Sequence, residues 1–139
     1  MGLKHIDREL SVAPQISIGD VAAIAEAGFK TIICNRPDGE SNDQPSFREI
    51  EEAARAVGLE IHHQPVSSGK VSDADAAAFG ELVDAAPKPV LAYCRSGTRS
   101  ITLWALSQAE RLPPTEILAK AKAAGYDMSS VMQRFVPQA

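Results

Sequence analysis

Short apolar runs alternate along this chain with longer stretches in which apolar positions recur every three or four residues. Such alternation predicts an α/β domain with a mainly parallel central sheet flanked by helices. The first strand is expected from Leu10 to Ile16, with Pro14 suggesting an edge position. Ser17 and Asp20 form a capping-box pair for the next helix, which Gly28 closes. A second strand follows from Phe29 to Cys34, then the longest loop, Asn35 to Gln44, whose Pro, Gly and Asn content forbids regular structure. Phe47, Ile50, Ala53, Ala54 and Val57 keep helical spacing up to Gly58. Leu59 to Val66 reads as the third strand, and Ser72 caps a helix running to about Ala86. Pro87-Lys88-Pro89 breaks the chain before a central strand over Val90 to Ala92. The remaining helices are expected at Ser100 to Glu110, about Pro113 to Ala124 with Gly125 closing it, and Ser129 to Phe135.

The 139 residues, 45% of them hydrophobic, suffice for one compact domain over 1–139 and are too few for two ordinary ones. A net charge of −4 argues against nucleic acid or an anionic membrane as partner, so any anion site must be local. The first nine residues are charged and lack a signal peptide's apolar segment, and no apolar run approaches membrane-spanning length. A cytoplasmic setting is the expectation, and the two cysteines, Cys34 and Cys94, fit a compartment where thiols stay reduced. They cannot build a zinc framework, and the adjacent His62 and His63 would point to opposite faces of a strand. Neither a metal nor another cofactor is implied.

The chemistry concentrates in Tyr93-Cys94-Arg95-Ser96-Gly97-Thr98-Arg99-Ser100, where a strand should end and a helix begin. Unpaired amides and the positive end of a helix dipole stabilise a thiolate and hold an anion there. Cys94 is thus the expected nucleophile, at the carboxyl end of a parallel strand, where ligands bind in open α/β sheets. Gly97 permits a bend that turns successive amides inward, and Arg99 reaches back with a planar fork matched to a tetrahedral oxyanion. Arg95, Ser96, Gly97, Thr98, Ser100 and Arg36 are expected to bind substrate, Ser100 by capping the helix or by hydrogen-bonding the thiolate. Arg95 can equally be a solvated surface charge. Cys34, at the end of a neighbouring strand, is either a second thiol that resolves Cys94 or a small core residue.

These residues resemble two families that share a cysteine loop. The helix through Ala25 to Lys30, the strand Thr31-Ile32-Ile33-Cys34-Asn35 and the segment Ile61-His62-His63-Gln64-Pro65-Val66 are similar to the layout of small dual-specificity phosphatases. The loop departs from theirs: four residues, not five, separate Cys94 from Arg99, and Tyr93 stands where they have His. Tyr-Cys-Arg-Ser-Gly-x-Arg-Ser is instead similar to the loop of many single-domain rhodaneses. With Asn35-Arg36-Pro37-Asp38-Gly39-Glu40, the combination resembles a bacterial family described as the phosphatase-like domain of beta-lactamase-hydrolase-like proteins and also called sulfurtransferases. The resemblance implies a tyrosine-phosphatase-like fold and links to sulfide detoxification, where some relatives carry a persulfide dioxygenase-type domain that this chain is expected to lack. Small anionic sulfur compounds, and a sulfide-oxidation enzyme such as a persulfide dioxygenase, are the implied partners.

A phosphatase loop must surround three equatorial oxygens, and removing a residue shrinks that cradle. Phosphoester cleavage also needs an acid for the departing alkoxide, and Asp38, Asp73 and Asp75 have no spacing that singles one out. The leading expectation is therefore a sulfurtransferase passing a sulfane sulfur through a Cys94 persulfide. A cysteine phosphatase is the alternative, and a persulfide-sensing or docking module the second.

Overall fold

The computed structural model describes residues 2–133. Its strands are β1 (Lys4–His5), β2 (Leu10–Ala13), β3 (Thr31–Cys34), β4 (Glu60–His63) and β5 (Val90–Tyr93). The helices are α1 (Asp20–Glu26), α2 (Phe47–Ala56), α3 (Asp73–Ala85), α4 (Thr98–Ser107), α5 (Pro114–Ala123) and α6 (Ser129–Met132). The sheet runs in the order β1-β2-β5-β3-β4; β1 is antiparallel to β2 and every other pairing is parallel. The architecture is thus the expected α/β domain, with a mixed central sheet.

Two local expectations need correcting. The first long strand is not an edge, because β1 covers it, and Pro14 lies just past its last paired residue, Ala13. Lys4 and His5 are exposed and carry no apolar pattern, so nothing in their sequence marks a strand. Helix α4 starts two residues before Ser100 and ends at Ser107, not Glu110. The last helix is the short α6; Phe135 lies outside the described residues.

Strong local signals set the well-placed elements. Ser46 and Ser72 each form a reciprocal capping box, with Glu49 and Asp75 respectively, fixing the starts of α2 and α3. Ser17 and Asp20 make the same exchange ahead of α1. The sheet separates two cores by simple alternation. Val90 and Ala92 of β5 face a cluster with Phe79, Ile101, Leu103, Trp104 and Ile117 from α3, α4 and α5. Leu91 and Tyr93 face the other cluster, with Val21, Ile24, Ile50 and Ala54 from α1 and α2. Each such aliphatic or aromatic side chain stabilises the fold by about 1.5–3 kcal/mol on burial. Both cores clamp β5, so the backbone leaving its carboxyl end emerges from the most constrained point of the sheet.

Candidate active site

Cys94 is the first residue after β5, and its amide still bonds to the Ala13 carbonyl of the neighbouring strand at 3.3 Å. On the other side the Asn35 amide donates to the Tyr93 carbonyl at 2.8 Å. The cysteine is therefore held by both flanking strands. Its side chain is fully buried, and the Gly97 amide donates to Sγ at 3.1 Å. Gly97 sits at φ +89°, a left-handed conformation that turns this amide inward and starts α4 directly behind the sulfur. The Thr98 amide turns instead to Ser96 Oγ, which also donates to Thr98 Oγ1.

Arg99 lies in the first turn of α4 and is largely buried. Nη1 and Nη2 donate to the two carboxylate oxygens of Glu40 at 2.8 Å each, and Nη1 also reaches the Val66 carbonyl at 2.9 Å. Arg36, 3% exposed, donates to the same Glu40 through Nε at 2.9 Å and to Gln15 Oε1 through Nη1 at 3.0 Å. One carboxylate thus joins two buried guanidinium groups. The Arg99 hydrogen bond, helped by Arg36, holds the Glu40 carboxyl down at about 2. Glu40 was not among the residues singled out from sequence; the available signal was a carboxylate in a long loop at the strand ends, which is commonplace.

The structure brings Arg95, Ser96, Thr98 and Arg99 together along a cleft of about 330 Å³, opposite Ser68, Gly69 and Val71. A larger hollow of about 660 Å³ between α3 and the end of α4 touches none of them. Ser100 is buried and donates to Asn35 Oδ1 at 2.8 Å, so its hydroxyl ties α4 to the end of β3 where helix capping or a bond to the thiolate was expected. Asn35 in turn donates to the Gln64 carbonyl at 3.0 Å. Arg36 reaches the site's edge, with its guanidinium directed at Glu40, Gln15 and Ser41.

Cys34 stands opposite Tyr93 in the β3–β5 register, and both are buried. Its thiol donates to the Arg36 carbonyl at 3.3 Å, which also accepts from His63 Nε2 at 3.1 Å. Burial pushes the Cys34 thiol up, and burial likewise raises Tyr93 far above the ordinary phenol range. Cys34 therefore lies beside the site as a protonated thiol on the face shared with Tyr93. Among the acids weighed from sequence, Asp38 accepts from the Phe47 amide at 2.8 Å and Asp75 from the Ser72 amide at 3.1 Å, both as helix-start groups.

A small cradle is thus built at the end of a buried parallel strand: a covered sulfur, an inward amide and an arginine whose two terminal nitrogens are held by Glu40. Residues 2–111 match the family described as beta-lactamase hydrolase-like protein, phosphatase-like domain. The chain belongs to this family. A beta-lactamase hydrolase-like protein of Agrobacterium fabrum is 37% identical over 126 residues, covering 89% of this chain but 29% of its own length. The chain thus spans under a third of that curated relative. A solved Neisseria meningitidis protein described as a candidate phosphatase is 40% identical, with a TM-score of 0.87 over 97% of this chain and 96% of its own. The solved protein called Tk-PTP shares the fold at 22% identity, with a TM-score of 0.73 over 96% of this chain and 92% of its own. The phosphatase-like fold expected from the layout around the loop is therefore shown.

Proposed function

We propose that the domain transfers a sulfane sulfur through a persulfide on Cys94. The observation that carries this reading is a small, covered nucleophile beside a cleft that, among the described residues, is lined by no carboxylic acid. That lining consists of Ser68, Gly69, Val71, Arg95, Ser96, Thr98, Arg99, Thr102 and Val131, and Glu40, the carboxylate bonded to Arg99, is held ionised. An alkoxide leaving from phosphorus needs a proton, whereas sulfite or a thiolate leaving from sulfur does not. The buried Sγ also suits attack on a single terminal sulfur better than on a phosphorus carrying three equatorial oxygens.

The Cys94 thiolate attacks the outer sulfur of thiosulfate, glutathione persulfide or a polysulfide. The donor's S–S bond breaks, and its electron pair leaves with sulfite or a thiolate. Cys94 then carries a terminal anionic sulfur, stabilised by the Gly97 amide and by the positive charge of Arg99. An acceptor thiol, sulfite or cyanide attacks that sulfur and releases the Cys94 thiolate. Arg95 and Thr98 at the cleft draw in the anionic donor, and Arg36 acts behind them through Glu40. A sulfide-oxidation enzyme is the partner this chemistry would serve.

A cysteine phosphatase is the second reading, favoured by the family's description and by the solved relative at 40% identity. Intact mass separates the two. After incubation with thiosulfate or glutathione persulfide, the protein should gain one sulfur that cyanide removes, and Cys94→Ser should gain none. Hydrolysis of an aryl phosphate with no sulfur uptake from either donor would establish the phosphatase instead.

A further inference from the structure

We propose that Tyr126 is a positioning residue for the nucleophile, acting through the peptide unit between Ser96 and Gly97. In a trans peptide the C=O and N–H point in opposite directions. Here the Tyr126 hydroxyl donates to the Ser96 carbonyl at 3.0 Å, and the Gly97 N–H of the same peptide donates to Cys94 Sγ at 3.1 Å. Holding one end of this unit outward aims the other end at the sulfur. Without the phenol, the peptide gains freedom to rotate, and the thiolate loses its fixed donor.

The tyrosine is itself rigidly delivered. Helix α5 ends with Gly125 at φ +94°; the Gly125 amide bonds to the Lys122 carbonyl at 2.9 Å and the Tyr126 amide to the Ala121 carbonyl at 2.9 Å. This pair is the Schellman closure, which sends residue 126 back across the helix end. Thr102 Oγ1 of α4 approaches Met128 Sδ at 3.9 Å, tying the next turn of the same segment to the loop helix. The ring lies so close over Gly97 that a Cβ there would collide with the phenol, so glycine and tyrosine are matched to each other. Burial, and then the charge of Cys94, raise the Tyr126 phenol above its ordinary range, which keeps the proton it donates. The residue lies beyond the 2–111 segment that matches the family, outside the part of the chain that carries the cysteine loop itself.

This inference rests on Cys94 being the nucleophile and is independent of the group it accepts. The test is thiolate absorbance at 240 nm against pH, each protein blanked with its own Cys94→Ser counterpart. Tyr126→Phe keeps the ring and removes only the hydroxyl. Its titration should move to higher pH, with about threefold less thiolate on the rising limb, less than the loss of a whole hydrogen bond to an anion because the Gly97 amide is loosened rather than removed. Ser107→Ala loses a helix-end bond remote from the loop and should leave the profile in place. An unmoved profile in a folded Tyr126→Phe protein would overturn the proposal. Should that variant unfold, Gly125→Ala decides: nothing lies within 4 Å of the added Cβ, so it acts by disturbing the turn that presents Tyr126, and an unmoved profile there is equally fatal. Lack of any Cys94-dependent signal in the parent would instead count against the nucleophile.

Discussion

Replacing Glu40 by Gln removes the negative charge that two buried guanidinium groups share while keeping the side chain's size. In the folded protein the Glu40 carboxyl lies at about 2 against an ordinary 4.5. At about 1.4 kcal/mol per pH unit, that difference caps the charge's contribution at roughly 3 kcal/mol. A quarter of the side chain faces water, and screening there brings the expected value to about 1–2 kcal/mol. The folded carboxyl is more acidic than the unfolded one. Its contribution is therefore complete above about 4.5 and fades as pH falls toward 2. Urea unfolding of parent and Glu40→Gln should differ by about 1–2 kcal/mol at neutral pH, with the gap closing as pH is lowered toward about 2.5. Other acids titrate in both proteins and cancel in the difference. A gap that stays constant across this window, or no gap at neutral pH, would refute the claim that Glu40 is ionised and held by Arg99 and Arg36.

Three further outcomes follow from the same geometry. Gly97→Ala should lose more stability in urea than Gly28→Ala: both sites have positive φ, costing roughly 1–2 kcal/mol each, but only at residue 97 does the new Cβ meet Tyr126. Equal losses would show that the ring gives way freely. Ser100→Ala strands the buried Asn35 Oδ1 and should cost about 1–3 kcal/mol by the same measurement, with a loss below about 0.5 kcal/mol contradicting the bond. Arg99→Lys keeps the charge but cannot span both Glu40 oxygens; if the domain carries out the proposed sulfur transfer, transfer to cyanide should fall at least about tenfold in kcat, and an unchanged kcat would remove Arg99 from the proposed mechanism.

How far the chain could be read without coordinates depended on the range of each signal. The Ser17–Asp20 pair and the Ser72 cap act over three residues and appear in the structure at their expected positions. The strand-loop-helix around Cys94 was legible for the same reason, since Gly97 and the apolar run before Cys94 are local features. The edge strand Lys4–His5 was not, because it exists only by pairing with β2, and its own residues show no alternation. Ser100 shows the same limit within the site. A hydroxyl after an arginine has several local uses, and only the approach of Asn35 from β3 selects the one it takes.

The sequence by itself determined the α/β layout, the position of Cys94 at a strand's carboxyl end and the short span from Cys94 to Arg99. All three follow from local periodicity, local turn chemistry and spacing along one segment. Tertiary structure alone decided what surrounds that segment. It brings Glu40 across 59 positions to hold Arg99, and Tyr126 across 30 to hold Ser96. A carboxylate or phenol distant in sequence carries no local mark of the partner it will meet. That meeting is set by which strands and helices pack together, through burial spread over many residues rather than through any one motif.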